Sequence, residues 1–473
     1  MDAHPSSTEM PACLGCAERD RRIALLDARN AELERRVKHL EQMIEKLQRG
    51  SKRQAAPFSK GPPKLNPKRP GRKPGDGYGT KAYRSIPPVI DEEHDAPLPD
   101  RCPRCGGSQM IVEGVEHQYQ TEIPTRPIHR RFNVAVGQCT CCGKHVRGRH
   151  PLQTSDALGC CASQLGPDAQ ALIVHLNKEA GLSQGKISRF FKACFGIDLS
   201  RGGACQSMLR SARRCEGHYQ AIVRRVQGSD WATCDETGWR IGGWGAWLHT
   251  AVTRSVVAYL IARERGYDAA RRLLGEGYSG VLIHDGWAAY DRFIHAMHQT
   301  CLAHLLRRCV EMLEVATRGA VIFPRKVKAL LTAALEVRDR RDAGTITTAT
   351  TIRKARRFKT RIVKLTAPDK TNPANDRLAR HLFRHQDHLF TFLHHEGIDA
   401  TNWRGEQAIR PAVVNRKVWG GNRTERGAEA QSILMSVWQT ARLQQFEPLR
   451  WLSQLLRCPS FAPALLPAVV PRE

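Results

Sequence analysis

The chain has 473 residues, more than one compact core usually holds, and its 74 Lys and Arg against 46 Asp and Glu leave a formal net charge of +28. That excess disfavours self-association and favours a polyanionic partner, of which nucleic acid is the commonest. Apolar runs such as 255–262 are strand-sized, so no membrane span is expected, and residues 1–10 carry no secretory pattern.

In chain order, residues 1–50 hold a tail and a heptad repeat. Ile23, Leu26, Asn30, Leu33, Val37, Leu40, Ile44 and Leu47 alternate three and four apart, with charged flanks. β-Branched residues at position a, Leu at d and one Asn at a predict a parallel two-stranded coiled coil, hence a homodimer or higher oligomer. The other reading is a lone amphipathic helix packed on its own protein. Cys13-x2-Cys16 is a lone pair on the tail.

Residues 51–95 read as a basic linker, interrupted by Pro and Gly, that cannot bury a core. Within it Pro70 to Gly75 resembles a minor-groove arm, with Arg72 and Lys73 as its DNA contacts. A solvated tether adding only salt-dependent affinity is the other reading.

In residues 96–155, Cys102-x2-Cys105 and Cys139-x2-Cys142 are two close pairs, each followed by Gly. Each pair can bite one ion from a tight turn, so the four are expected to hold one structural Zn²⁺, with Cys141 a spare thiol.

Residues 160–226 turn helical. A helix over 168–179 is followed by a second capped by Ser183, a turn at Phe195 to Asp198, and a basic third helix capped by Ser200. This is helix-turn-helix order, with Arg201 and Arg210 as candidate DNA contacts.

Between 227 and 303 the period switches to two. Strands are expected at 232–236, 247–253, 256–262, 280–285 and 299–303, the first two joined through Gly242-Gly243, with helices at 267–274 and 288–295. Three meandering strands followed by alternation is the ribonuclease-H-like order. A helical insertion follows at 304–389, a second part of the core with an amphipathic helix at 390–445, and a C-terminal segment at 446–473. The expected class is therefore a multidomain α+β protein.

In that topology the first and fourth strands lie side by side, which brings Asp235 and Asp285 to one rim of the sheet. Glu406, opening a short helix before Pro411, closes the set; Glu396, Asp399, Glu425 and Glu429 are alternatives by distance along the chain. Three carboxylates suit two Mg²⁺ (or Mn²⁺) ions, hard cations that activate an attacking oxygen and stabilise a leaving one during phosphodiester cleavage. Arg404 and Arg410 flank the third acid as candidate DNA contacts. Trp239, Trp244, Trp247 and Trp287 belong either to the core or to a base-stacking surface.

These motifs together resemble the insertion-sequence 66 family of transposases over nearly the whole chain. The residues that carry the likeness are Gly71-Arg72-Lys73-Pro74, Cys102 to Cys142, Asp235-Glu236-Thr237-Gly238-Trp239, His284-Asp285-Gly286-Trp287, Cys301-x2-His304, Asn402 to Arg410 and Arg416-Lys417-x-Trp419. Trp403, Gly405 and Gln407 depart from the family pattern, which usually has Asn, Ala and Arg there. Cys301 and His304 read as a pair buttressing the site's rim, with a zinc site as the other reading. The resemblance implies a bacterial, cytoplasmic, nucleoid-associated enzyme that acts on double-stranded DNA at element ends and at a target, with companion proteins of the same element. A DNA-binding regulator or a silent relic is the competing reading, and a ribonuclease H or junction resolvase a third.

Overall fold

The computed structural model describes residues 18, 22–37, 40, 86–95, 97, 99–101, 103–108, 111, 117–121, 126–155 and 164–458. Cys13, Cys16, Ile44, Leu47, Arg72, Lys73 and Cys102 lie outside the described residues. The chain divides into two units, Met1–Lys81 and Ala82–Glu473. In the first, residues 22–37 form a helix, α1. Ile23, Leu26, Leu33 and Val37 are each about half exposed on it, and Glu32 pairs with Arg35 and Arg36 on its charged flank.

The second unit contains a small hairpin of β1 (Val136–Gln138) and β2 (His145–Arg147), paired antiparallel. Three helices follow. α2 (Pro167–Lys178) starts on Pro167, and Ser183 caps α3 (Gln184–Phe195) by accepting from the Lys186 N–H. α3 stops at Gly196, whose φ of +67° only glycine adopts cheaply. Ser200 caps α4 (Arg201–Gln227), which runs 27 residues because Ala204, Met208, Cys215, Ile222 and Val226 keep one face buried well past the basic turns. α2, α3 and α4 share one core with a face of the central sheet.

That sheet has five strands in the order β5-β4-β3-β6-β7. β3 (Trp231–Ile241), β4 (Trp244–Val252) and β5 (Val257–Ala262) meander antiparallel. β6 (Val281–His284) pairs parallel with β3, and β7 (Met297–Thr300) parallel with β6. The first strand is longer than its expected 232–236, so Asp235 sits inside β3. α5 (Tyr267–Leu274) has its expected bounds. The helix expected at 288–295 is a 3-10 turn over Ala288–Arg292, closed by the Phe293 N–H bonding to Tyr290. The fifth strand ends early because the chain enters α6 (Leu302–Val315) straight after Cys301.

Helices cover both faces. α6, α7 (Ile322–Asp342), α8 (Thr348–Thr366), α9 (Pro373–Arg384) and the short α10 (Thr391–His394) build a core of their own, joined to the sheet by Trp231, Val281 and Ile283. α11 (Trp403–Trp419) packs on β3 and β4 through Ile409 and Ala412. It passes through Pro411 instead of stopping before it. The missing N–H costs roughly 3 kcal/mol, and burial of Ile409, Ala412 and Asn415 carries the helix across.

α12 (Glu425–Leu443) covers the edge strand, and α13 (Pro448–Arg457) closes the core beside α2. The N–H groups of Val257, Tyr259 and Ile261, which have no strand partner, donate to Thr440 Oγ1, Ser436 Oγ and Ser432 Oγ at 3.0, 2.8 and 3.0 Å. The match is metric: four helical residues rise about 6 Å and two strand residues about 6.6 Å. Hydroxyls one helical turn apart thus meet alternate strand amides, and the edge is sealed. Among the described residues no helix is long and apolar enough to cross a membrane.

Candidate active site

The register of the parallel pair decides which acids meet. Thr233 pairs with Ile283, so two residues further on Asp235 stands level with Asp285, just past the end of β6. Period two then sorts the faces. Trp231, Asp235 and Trp239 share one face of β3, with Val281, Ile283 and Asp285 on the same side; α11 lies there. Helix and strand approach closely at Gly405, where an added Cβ would lie 3.1 Å from Asp235 Cβ and 2.6 Å from Asn402 Oδ1. Glu406, on the first turn of α11, is next to that contact.

The site is short of positive charge. Burial, aided by the neighbouring charges of Glu236, Asp285 and Glu406, pushes the Asp235 carboxyl up to about 7. Its Oδ1 accepts from the Glu236 N–H at 3.0 Å, while Asp285 Oδ1 accepts from the Trp287 N–H at 2.9 Å. Glu406 Oε1 lies 3.6 Å from His304 Nε2. Among the described residues no three His, Cys, Asp or Glu side chains are drawn together tightly enough to hold a metal ion. The uncompensated negative charge around Asp235, with oxygen donors only, nevertheless fits a hard divalent cation.

Cys301 and His304 meet the third-acid helix. Cys301 Sγ, fully buried, accepts from the Asn402 N–H at 3.1 Å, and the Leu302 N–H reaches Ala400 at 3.0 Å. Burial raises the Cys301 thiol, and the Asn402 N–H acts against that. Both side-chain polar atoms of Asn402 are buried without a hydrogen-bond partner among the described residues, as is His304 Nδ1.

Arg404 donates to Asp399 Oδ2 at 2.6 Å and stacks on Trp403 and Trp231. Arg410, exposed, lines a separate cleft with Lys178, Gln407 and Arg442. Arg201 and Arg210 are exposed on α4. Cys105, Cys141 and Cys142 are exposed thiols, and Cys139 is partly covered. The Cys139 thiol is lowered by the backbone N–H groups of Cys142 and Cys141, and Gly106 and Gly143 turn at φ +74° and +70°. This donor set suits a zinc knuckle.

Two networks were not legible in the sequence. Glu236, on the opposite face of β3 from Asp235, is almost fully buried. Arg265 grips its Oε1 through Nη2 at 2.8 Å and Nε at 3.1 Å, and the Tyr290 hydroxyl donates to Oε2 at 3.1 Å. Arg265 is itself clamped between Trp247 and Trp287, at 4.6 and 4.3 Å. No spacing announces Arg265, which lies in a loop. Behind Asp285, five histidines pack together. The Gly286 N–H donates to His284 Nδ1, so His284 Nε2 donates to His298 Nδ1 and His298 Nε2 to the Phe293 carbonyl. His381, His385 and His388 complete the group from the helical insertion. Burial holds His284 well below its usual range and His381 and His388 at about 4, so the cluster is neutral. His381 lies on the last turn of α9, His385 follows the helix and His388 ends a separate 3-10 turn, so no single periodicity marks the group in the sequence.

Known proteins resemble this chain in sequence. The chain is 24% identical over 300 residues to the uncharacterized protein y4qI of Sinorhizobium fredii, covering 55% of this chain and 53% of that protein. It is 23% identical over 220 residues to y4jD of the same organism, covering 42% and 41%. The matches therefore span about half the length of these relatives or less. The family model described as Transposase IS66 family matches residues 162–430, more than half of the chain and the whole stretch that carries the three acids. The chain belongs to the IS66 family of transposases.

Proposed function

We propose that the protein binds the ends of an insertion element, cleaves DNA phosphodiesters and joins the freed 3′-hydroxyls to target DNA. The observation that carries this reading is the level placement of Asp235 and Asp285 on the face where α11 presents Glu406. Two Mg²⁺ or Mn²⁺ ions, when bound, would supply activation of the attacking oxygen and charge neutralisation at the leaving oxygen. Asp235, Asp285 and Glu406 are the residues that would hold them. His304 steadies the Glu406 carboxylate, and Cys301 anchors the chain that delivers it. Glu236 plays a different part: with Arg265 and Tyr290 it stiffens β3 from the far face.

Nicking of DNA that carries the element's ends, with Mg²⁺ present, tests this. Asp235→Asn, Asp285→Asn and Glu406→Gln each abolish cleavage and leave end binding within a few-fold, while Glu396→Gln and Glu425→Gln stay active. Normal cleavage by Glu406→Gln together with a dead Glu425→Gln or Glu396→Gln would move the third acid elsewhere. A nicking activity untouched by all of them would sink the mechanism, and binding with no metal-dependent nick would leave a DNA-binding regulator.

The remaining modules follow the same reading. Cys102, Cys105, Cys139 and Cys142 hold one structural Zn²⁺, the heptad repeat within residues 1–50 makes a homodimer, and Arg72, Lys73, Arg201, Arg210, Arg404 and Arg410 hold DNA. A cytoplasmic, nucleoid-associated place beside companion proteins of the same element suits that work. Elemental analysis then finds one zinc per chain, lost in Cys105→Ser. Deleting residues 1–50 lowers the assembly mass in light scattering. No zinc, or an unchanged mass ratio, refutes the respective part.

A further inference from the structure

Of Trp239, Trp244, Trp247 and Trp287, three are occupied. Trp239 is buried, packs edge-on against Trp419 and donates its Nε1–H to Asn422 Oδ1 at 2.8 Å. Trp247 and Trp287 clamp Arg265. Trp244 is 76% exposed and makes no ring contact among the described residues.

Its setting is stiff. Trp244 follows the two-residue turn of the β3–β4 hairpin, where Gly242 and Gly243 have φ of +61° and +87°, the tight type that suits strand twist. The 422 segment straps this tip down: the Gly242 N–H donates to the Asn422 carbonyl at 2.8 Å, and the Asn422 N–H to the Arg240 carbonyl at 2.9 Å. Arg263 adds a bond to the Ile241 carbonyl and neutralises Glu425. Trp244 pairs with Ile241 and shares its face of the hairpin, whereas Arg240, pairing with Gly245, leaves from the other face; Arg240 and Arg423, whose carbonyl would lie 3.4 Å from a Cβ at Gly242, are both exposed at the tip. An apolar protein partner would have to strip water from these arginines. A polyanion with flat, apolar faces matches both the charge and the ring.

Resting on the DNA-processing reading above, we infer that the hairpin tip is a nucleic-acid contact in which Trp244 stacks on a base face and Arg240 and Arg423 hold the adjoining phosphates. Ile241, the partner of Trp244, lies six residues beyond Asp235 along β3. At about 3.3 Å per residue the ring lies about 20 Å from the acids, or about six base steps of duplex at ~3.4 Å each. The contact therefore grips DNA flanking the reacting phosphate and takes no part in the chemistry.

The test uses the full chain, an oligo(dT) strand of about 20 nucleotides and a duplex of equal length, with anisotropy read at about 0.1 and 0.3 M salt. Trp244→Ala weakens oligo(dT) binding about tenfold or more, by the same factor at both salts, because stacking is not ionic. Trp244→Phe stays within about threefold, since it keeps a π-face. Arg240→Gln loses affinity by a factor that shrinks as salt rises. A wild-type chain that binds neither DNA overturns the DNA reading and this inference with it. Wild-type binding with an indifferent Trp244→Ala, or with Trp244→Phe as weak as Trp244→Ala, overturns this inference alone.

Discussion

Gly405 sits where α11 meets β3, and its surroundings leave little room for a side chain. A Cβ there would press on the fully buried Asn402 side chain at 2.6 Å and on Asp235 Cβ at 3.1 Å. The first turn of α11 and β3 thus approach closely at this point. Gly405→Ala gains up to about 1 kcal/mol in helix propensity and loses about 1–3 kcal/mol to overpacking. We expect a net destabilisation of about 1–2 kcal/mol in urea unfolding, with a larger fractional loss of cleavage because Asp235 is displaced. A variant as stable as the parent would show that the approach is loose. The same scale explains why Asp235 and its neighbour Glu236 have different fates. Period two sends one toward α11 and the other to Arg265, and a motif written as Asp-Glu does not say which is which.

Among the elements, α12 shows a tertiary role that its apolar pattern does not announce. Its apolar pattern predicts a single buried stripe, yet Ser432, Ser436 and Thr440 are buried as deeply as Ile433 and Trp438. They are there for β5, whose amides they satisfy. Ser436→Ala leaves the Tyr259 N–H without an acceptor in a water-free place, at a cost of about 1–3 kcal/mol. Faster hydrogen exchange at the Tyr259 amide accompanies the lower unfolding free energy. Unchanged exchange there would mean that the serine is not what protects the strand.

For the whole molecule, the question is where a charge of +28 is spent. α8 has one answer. Thr351, Ala355, Phe358 and Ile362 bury one of its faces, and Arg353, Arg357, Arg361 and Lys364 line the opposite one. All four are exposed, and among the described residues none pairs with an acid. The row spans about 16 Å, enough to follow a DNA backbone. Changing all four to Gln lowers the slope of log affinity against log salt by roughly 3–4, at about 0.9 per phosphate contact. An unchanged slope would mean that this face looks away from DNA.

Composition, periodicity and local chemistry were enough to read the basic character, the succession of strands along the chain, α5, the serine caps of α3 and α4 and the Gly242-Gly243 turn. Each depends on residues close in sequence, where side-chain alternation, capping and φ preference act directly. The motif resemblance pointed to Asp235, Asp285 and Glu406 as the acids of the proposed site. Long-range packing decided the rest. The parallel register set Asp235 level with Asp285, the burial of Ile409 and Ala412 carried α11 past Pro411, and the insertion brought three histidines behind His284. On the far face of β3, Arg265 came to pair with Glu236 and to lie between Trp247 and Trp287, while Trp244 has no ring contact among the described residues. Contacts between residues tens to hundreds of positions apart leave no local trace, because hydrophobic burial is indifferent to sequence separation and only the assembled core selects among the partners on offer.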